Sequence, residues 1–169
     1  MNVDEDFADF VRARWSSLYR LAYLLAASPT GAEDLLQTTL EKAYVSWHRI
    51  GQMEYPEAYV RRMPANTLVS SGRRAWHRER PTGTLPEVAG DSAELPVLDR
   101  SLLWPLVCAL PDRQRAVIVL RYYEDLSEAQ IAEALGCAQG TVKSQASSAI
   151  AALRRAVAAA GVGEAVDGS

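Results

Sequence analysis

The chain has 169 residues, nearly half of them apolar, and a formal net charge of −3. That length suits one ordinary domain or two small ones. The mildly acidic balance excludes a general nucleic-acid coat, no apolar run is long enough to cross a bilayer, and Cys108 and Cys137 fit no metal or disulfide spacing.

The acidic start, MNVDEDFADF, lacks the regions of a signal peptide, so a cytoplasmic, reducing setting is expected. His48 and His77 are isolated, and neither a metal site nor a cofactor is expected. Strand signals are nearly absent. Phe7, Phe10, Val11, Leu18, Leu21, Ala22 and Leu25 recur at three and four, which predicts an amphipathic helix over 5–27, broken by Ser28-Pro29-Thr30-Gly31. A second helix follows, with Leu35, Leu36, Leu40, Ala43, Tyr44 and Trp47 on one face and Glu33, Asp34, Gln37, Thr38, Glu41 and Lys42 on the other. A third helical segment starts near Pro56, a good first-turn residue, and runs towards Trp76. Tyr55 and Tyr59, near its start, read more readily as core than as contact residues.

Residues 79–97, ERPTGTLPEVAGDSAELPV, are rich in proline, glycine and acids and read as a flexible linker. The fold class expected is therefore all-α: one small helical domain over 1–78, the linker, a second over 98–160, and a frayed tail over 161–169. Charge follows the same division. Residues 54–80 hold Arg61, Arg62, Arg73, Arg74, Arg78 and Arg80 against Glu54, Glu57 and Glu79, whereas residues 81–112 hold Arg100 against five acids. A local basic face beside an acidic spacer is a better guide to the partner than the total charge.

Beyond the linker, helicity resumes near Asp99, Pro111 separates residues 99–110 from a helix over 112–123, and Ser127-Glu128-Ala129-Gln130 has the form of a capping box. Gly136 supplies a tight turn, and the last helix runs over 139–159. A capped helix, a turn and an amphipathic helix make a helix-turn-helix. Ile131, Ala132 and Leu135 would pack on Val142, Ala146, Ala149, Ile150 and Leu153, leaving Gly140, Thr141, Ser144, Ser147 and Ser148 outside. Such small side chains let a helix approach a major groove. A plain helical hairpin in a core is the alternative reading of the same spacing.

The stretch LPDRQRAVIVLRYYEDLSEAQIAEALGCAQGTVKSQASSAIAALRR resembles the C-terminal domain of a bacterial extracytoplasmic-function sigma factor of the sigma-70 family. GAEDLLQTTLEKAYVSWHRI and YPEAYVRRMPANTLVSSGRR are similar to the N-terminal domain of that family, and the small actinobacterial SigE-like subgroup fits best. The resemblance implies a factor, not an enzyme, that directs core RNA polymerase to promoters. Glu33, Asp34, Gln37, Thr38 and Glu41 would dock on the clamp coiled coil of the largest polymerase subunit. Arg61, Arg62, Asn66, Ser70, Arg73, Arg74 and Trp76 would capture the −10 element as it melts. Gln139, Gly140, Thr141, Lys143, Ser144, Gln145 and Ser148 would read the −35 duplex, with Arg113, Arg115, Arg121 and Arg155 as further phosphate contacts. The flap of the second-largest subunit and an anti-sigma factor are further implied partners.

The sequence also departs from the family's pattern. Thr38 stands where an acid is common. Pro64 replaces Leu or Val, and a helix-interior proline predicts a kink or break near 60–64. Ala138 replaces a Ser cap, Gln139 a Pro, and Gln145 and Ser148 stand where Arg is common. These departures leave two alternatives to a working sigma factor: a divergent relative that binds polymerase or another regulator but initiates poorly, and a stand-alone helix-turn-helix repressor.

Overall fold

A computed structural model describes residues 2–70 and 100–161, which fall into two compact units. Every regular element among these residues is helical. The linker over 79–97, both expected domain boundaries and the tail beyond Gly161 lie outside them.

In the first unit, α1 covers Val3–Ala26 and α2 covers Pro29–Val45. The side chain of Asn2 caps α1 by accepting from the Asp4 N–H, and Asp4, Glu5 and Asp6 lie beside the positive end of its dipole. Ala27 ends it in the left-handed conformation, φ 62°. Ser28 then caps α2 through the Gly31 N–H at 3.1 Å, with Pro29 in the first turn. The expected four-residue break is thus a two-residue corner, because a serine cap and a first-turn proline start a helix as readily as they stop one. The corner folds α2 back along α1, so the start of α1 meets the end of α2. There the Tyr44 hydroxyl donates to Asp4 Oδ1 at 2.7 Å, and the Trp47 indole N–H donates to Asp6 Oδ2 at 2.9 Å. Phe7 and Phe10 pack on Trp47 with ring centroids 5.2 and 4.8 Å away.

Trp47 does not belong to the second helix. α2 stops at Val45, and Trp47–Ile50 forms the single turn α3. α4, Pro56–Ser70, lies on both α1 and α2. Leu18, Leu21 and Leu25 of α1, Leu35 and Leu36 of α2, and Val60, Ala65 and Leu68 of α4 are buried, as is Ile50. Each large aliphatic buried this way contributes about 1.5–3 kcal/mol relative to exposure. Of the kink or break expected near 60–64, the break does not occur. α4 is continuous through Pro64, which is itself buried, so packing against the other helices holds the backbone where local propensity would release it. The continuation towards Trp76 lies outside the described residues.

In the second unit, α5 covers Arg100–Cys108 and α6 covers Asp112–Ile118, which continues as a π-helical turn over Val119–Tyr123. The wide turn shows in its bonds: the Glu124 N–H donates to Val119 O at 3.1 Å, and the Leu126 N–H to Leu120 O at 3.0 Å. α7, Glu128–Leu135, opens with the complete capping box, Ser127 Oγ accepting from the Gln130 N–H and Gln130 Oε1 accepting from the Ser127 N–H. Gly136 closes it at φ 66°, where a Cβ would be strained. α8, Gln139–Ala159, packs on α5, α6 and α7. Val142, Ala146 and Ala149 are buried, and Ile150 and Leu153 pack against the cluster of Leu110, Ile118 and Ala149.

Arg115, one of the cations that the resemblance assigns to phosphate contact, is instead buried and only 4 % exposed. Its guanidinium donates to Leu110 O at 2.8 Å, to Cys108 O at 3.4 Å and to Asp112 Oδ1 at 2.5 Å. It satisfies the carbonyls at the end of α5 and so fastens α5 to α6.

Candidate functional site

Apart from the buried Arg115, the described residues singled out by sequence fall on three surfaces. On α2, Glu33, Asp34, Gln37 and Glu41 are exposed and Thr38 is half-buried. Their spacing puts them on one side of the helix, and Gln37 Nε2 donates to Glu41 Oε1 at 3.3 Å. The opposite side of α2 is buried through Leu35, Leu36, Thr39 and Ala43, so these acids have no core role. Beside them a groove of about 830 Å³ runs between α1 and α2, with Trp15, Tyr19, Leu40 and Tyr44 among its lining residues. Burial, and then the negative charge of Glu33, raise the Tyr19 pKa above its ordinary value. The hydrogen bond to Asp4 does the same for Tyr44. Trp15 is half exposed in this groove and was missed from sequence, although its spacing from Val11 and Leu18, four and three, puts it on the apolar stripe of α1.

On α4, Arg62, Asn66 and Ser70 follow one another at four-residue spacing, Arg62 half-buried and the other two exposed. Arg61 is also half-buried and donates to Ser17 Oγ on α1, which holds it against the unit. Arg73, Arg74 and Trp76 lie outside the described residues. Tyr55 and Tyr59 are not core residues: they are exposed, and the Arg49 guanidinium lies 5.7 Å from the centroid of the Tyr59 ring. Both precede the part of α4 that turns inward at Val60, which is why the core reading fails for them.

On α8, Gln139, Gly140, Lys143, Ser144 and Ser148 are exposed, and Thr141 and Gln145 are half-buried. Ala138 caps the helix with no side-chain hydrogen bond. Arg113 and Arg155 are exposed. Arg121 Nη1 lies 3.5 Å from Glu128 Oε1, and Lys143 Nζ lies 3.9 Å from Glu128 Oε2. Ser127, Glu128 and Gln139 line a groove of about 610 Å³ at the start of α8. Among the described residues no group of three or more His, Cys, Asp or Glu is arranged to hold a metal, and no helix is long and apolar enough to cross a membrane.

Two helical units, the second built on a capped helix-turn-helix with a polar outward face on its last helix, have the architecture of a modular all-α protein with a helix-turn-helix module. Comparison with known proteins gives the family. The family described as Sigma-70, region 4 matches residues 100–153. The RNA polymerase sigma-E factor of Streptomyces coelicolor is 40 % identical over 154 residues, covering 91 % of this chain and 87 % of that protein. The ECF RNA polymerase sigma factor SigL of Mycobacterium tuberculosis is 35 % identical over 150 residues, covering 86 % of this chain and 85 % of that one. Among solved structures, the sigma factor RpoE of Bartonella quintana, in complex with the anti-sigma factor NepR, superposes with a TM-score of 0.62 at 25 % identity over 89 % of this chain and 96 % of that one. The chain belongs to the extracytoplasmic-function sigma factors.

Proposed function

We propose that this chain directs core RNA polymerase to promoters, with the work divided between its two units. The row Glu33, Asp34, Gln37, Thr38 and Glu41 docks on the clamp coiled coil of the largest polymerase subunit, since acids on a rigid helix suit a basic partner. α4 and the residues that follow it engage the −10 element, Arg62 tracking phosphate and Asn66 and Ser70 facing bases. Gln139, Gly140, Thr141, Lys143, Ser144, Gln145 and Ser148 on α8 face the −35 duplex, close to the flap of the second-largest subunit. The protein acts by binding and catalyses no reaction of its own, in the cytoplasm where polymerase works. An anti-sigma factor is a further partner, by analogy with the complex of the Bartonella protein.

The observation that carries this reading is similarity along both units at once, 91 % of the chain against the Streptomyces coelicolor factor. A stand-alone helix-turn-helix repressor leaves the first unit without a purpose. α4 continues through Pro64, which supports an intact surface at Arg62, Asn66 and Ser70. Polymerase holds both units near the promoter, so even a weak reading helix acts at high effective concentration. The test is run-off transcription with core polymerase on genomic fragments: discrete transcripts that depend on the chain support the proposal. In parallel, Asp34→Arg and Gln37→Ala, if folded, should lose core polymerase in a pull-down. Retention by both, with no transcripts, would overturn it.

A further inference from the structure

Glu128 opens α7, and each of its carboxylate oxygens faces a different cation. Oε1 lies 3.5 Å from Arg121 Nη1 in the π-helical turn, and Oε2 lies 3.9 Å from Lys143 Nζ on α8. One side chain thus links the three segments that frame the start of α8. Lys143 is the cation nearest that end of the helix, since Arg154 and Arg155 follow about three turns later. Both contacts are long for ion pairs. The side chains of Arg121, Lys143 and Glu128 are 39, 68 and 30 % exposed. Pairs of this kind are weak and exchange readily for another anion.

We infer that Glu128 stands in for a DNA phosphate in the free protein. It occupies Arg121 and Lys143 together, and a duplex must displace it before either cation can hold the sugar–phosphate backbone. Glu128 is thereby a positioning residue that keeps the DNA affinity of the second unit low. This rests on the reading that α8 faces DNA. An acid in the first turn of α7 also suits the helix dipole, so the reach of the carboxylate must be separated from its charge.

The experiment is fluorescence anisotropy of the full chain on a mixed-sequence duplex, with salt raised from about 50 to about 200 mM. Glu128→Gln should bind about three- to tenfold tighter, with a salt slope steeper by about 0.9, one more net phosphate neutralised. Glu128→Asp keeps the charge but withdraws the carboxylate by one methylene and should share most of the gain. Glu133→Gln removes an exposed acid elsewhere on α7 and should not. In the Glu128→Gln background, Lys143→Ala should cancel the gain. If Glu128→Gln binds like the parent while Lys143→Ala weakens binding, α8 faces DNA and the inference is wrong. Equal gains from Glu128→Gln and Glu133→Gln, with none from Glu128→Asp, would reduce the effect to overall charge and overturn it too. If Lys143→Ala also leaves binding unchanged, the α8 reading fails and the inference with it.

Discussion

The indole N–H of Trp47 donates to Oδ2 of Asp6 across 41 residues of chain, and this 2.9 Å bond closes the first unit where α1 begins and α2 ends. Trp47 is 3 % exposed, so its N–H has little access to water if the carboxylate is removed. Asp6→Ala should cost about 1–3 kcal/mol, the penalty for a buried donor left without its partner. Asp6→Asn keeps an acceptor and should cost less. Urea unfolding checks the order; equal losses from the two variants would mean that the acceptor is not what Trp47 needs.

The start of α8 offers the opposite change. Ala138 has the extended backbone of a cap, φ −74° and ψ 152°, but no side-chain bond. Ala138→Ser should therefore stabilise the second unit by about 1 kcal/mol, by accepting from an N–H of the first turn. A midpoint of unfolding that does not rise would show that solvent already serves those donors equally well.

Restoring cations to α8 should strengthen DNA binding. Ser148 is exposed on the outward side of the helix and Gln145 is half-buried at its edge, and an arginine at 145 can extend its head past the partly covered stem. Gln145→Arg with Ser148→Arg should tighten binding to −35 duplexes and steepen the salt slope by about 1.8, two phosphates at about 0.9 each. Base preference should narrow or shift if Gln145 reads a base, since a glutamine in the major groove can pair with adenine. Anisotropy at several salt concentrations reads both effects. An unchanged slope would remove both positions from the DNA face.

Burial pushes the Cys108 thiol up to about 11 from 9.0, against a smaller opposing effect of the Arg115 cation. The sign follows from which state ionises first. Between pH 9.0 and about 11 the unfolded chain loses this proton and the folded one keeps it, so the thiol's contribution to stability is present below pH 9.0 and lost as pH rises through that window. Unfolding followed across it should show a steeper decline for the parent than for Cys108→Ala. At neutral pH, iodoacetamide should label the part-exposed Cys137 well before Cys108. Equal labelling in the folded protein would contradict this.

What could be read from sequence was what depends on near neighbours. Ser127 and Gln130 are three apart, and that spacing alone specifies the reciprocal cap found at α7. The outward face of α8 followed from 100° per residue, and Val142, Ala146 and Ala149 are buried as that period requires. The misses have long-range causes. Trp47 continues the apolar spacing of α2, so nothing local announces that Asp6 will hold it in a separate turn. Arg115 looked like a DNA contact by residue type, but the carbonyls of Cys108 and Leu110 claim it only once α5 and α6 meet. Pro64 does not end α4 as its local rule predicts, because it is buried in the packed core of the first unit and the helix continues through it. Glu128 was read only as part of a cap; its two cations come from segments on either side of α7.

The π-helical turn over Val119–Tyr123 has a bearing on how this chain tolerates a change in length. A turn closed from residue 124 back to 119 uses one residue more than an α-helical turn. Loss of a single residue there, Tyr122 for instance, can be absorbed by tightening the turn to the regular period. The same loss inside α8 has no slack to draw on and would rotate every later residue by about 100°, carrying Ser148 away from its outward face. The second unit therefore holds its tolerance to deletion in the segment leading into α7 and none in the helix proposed to read DNA.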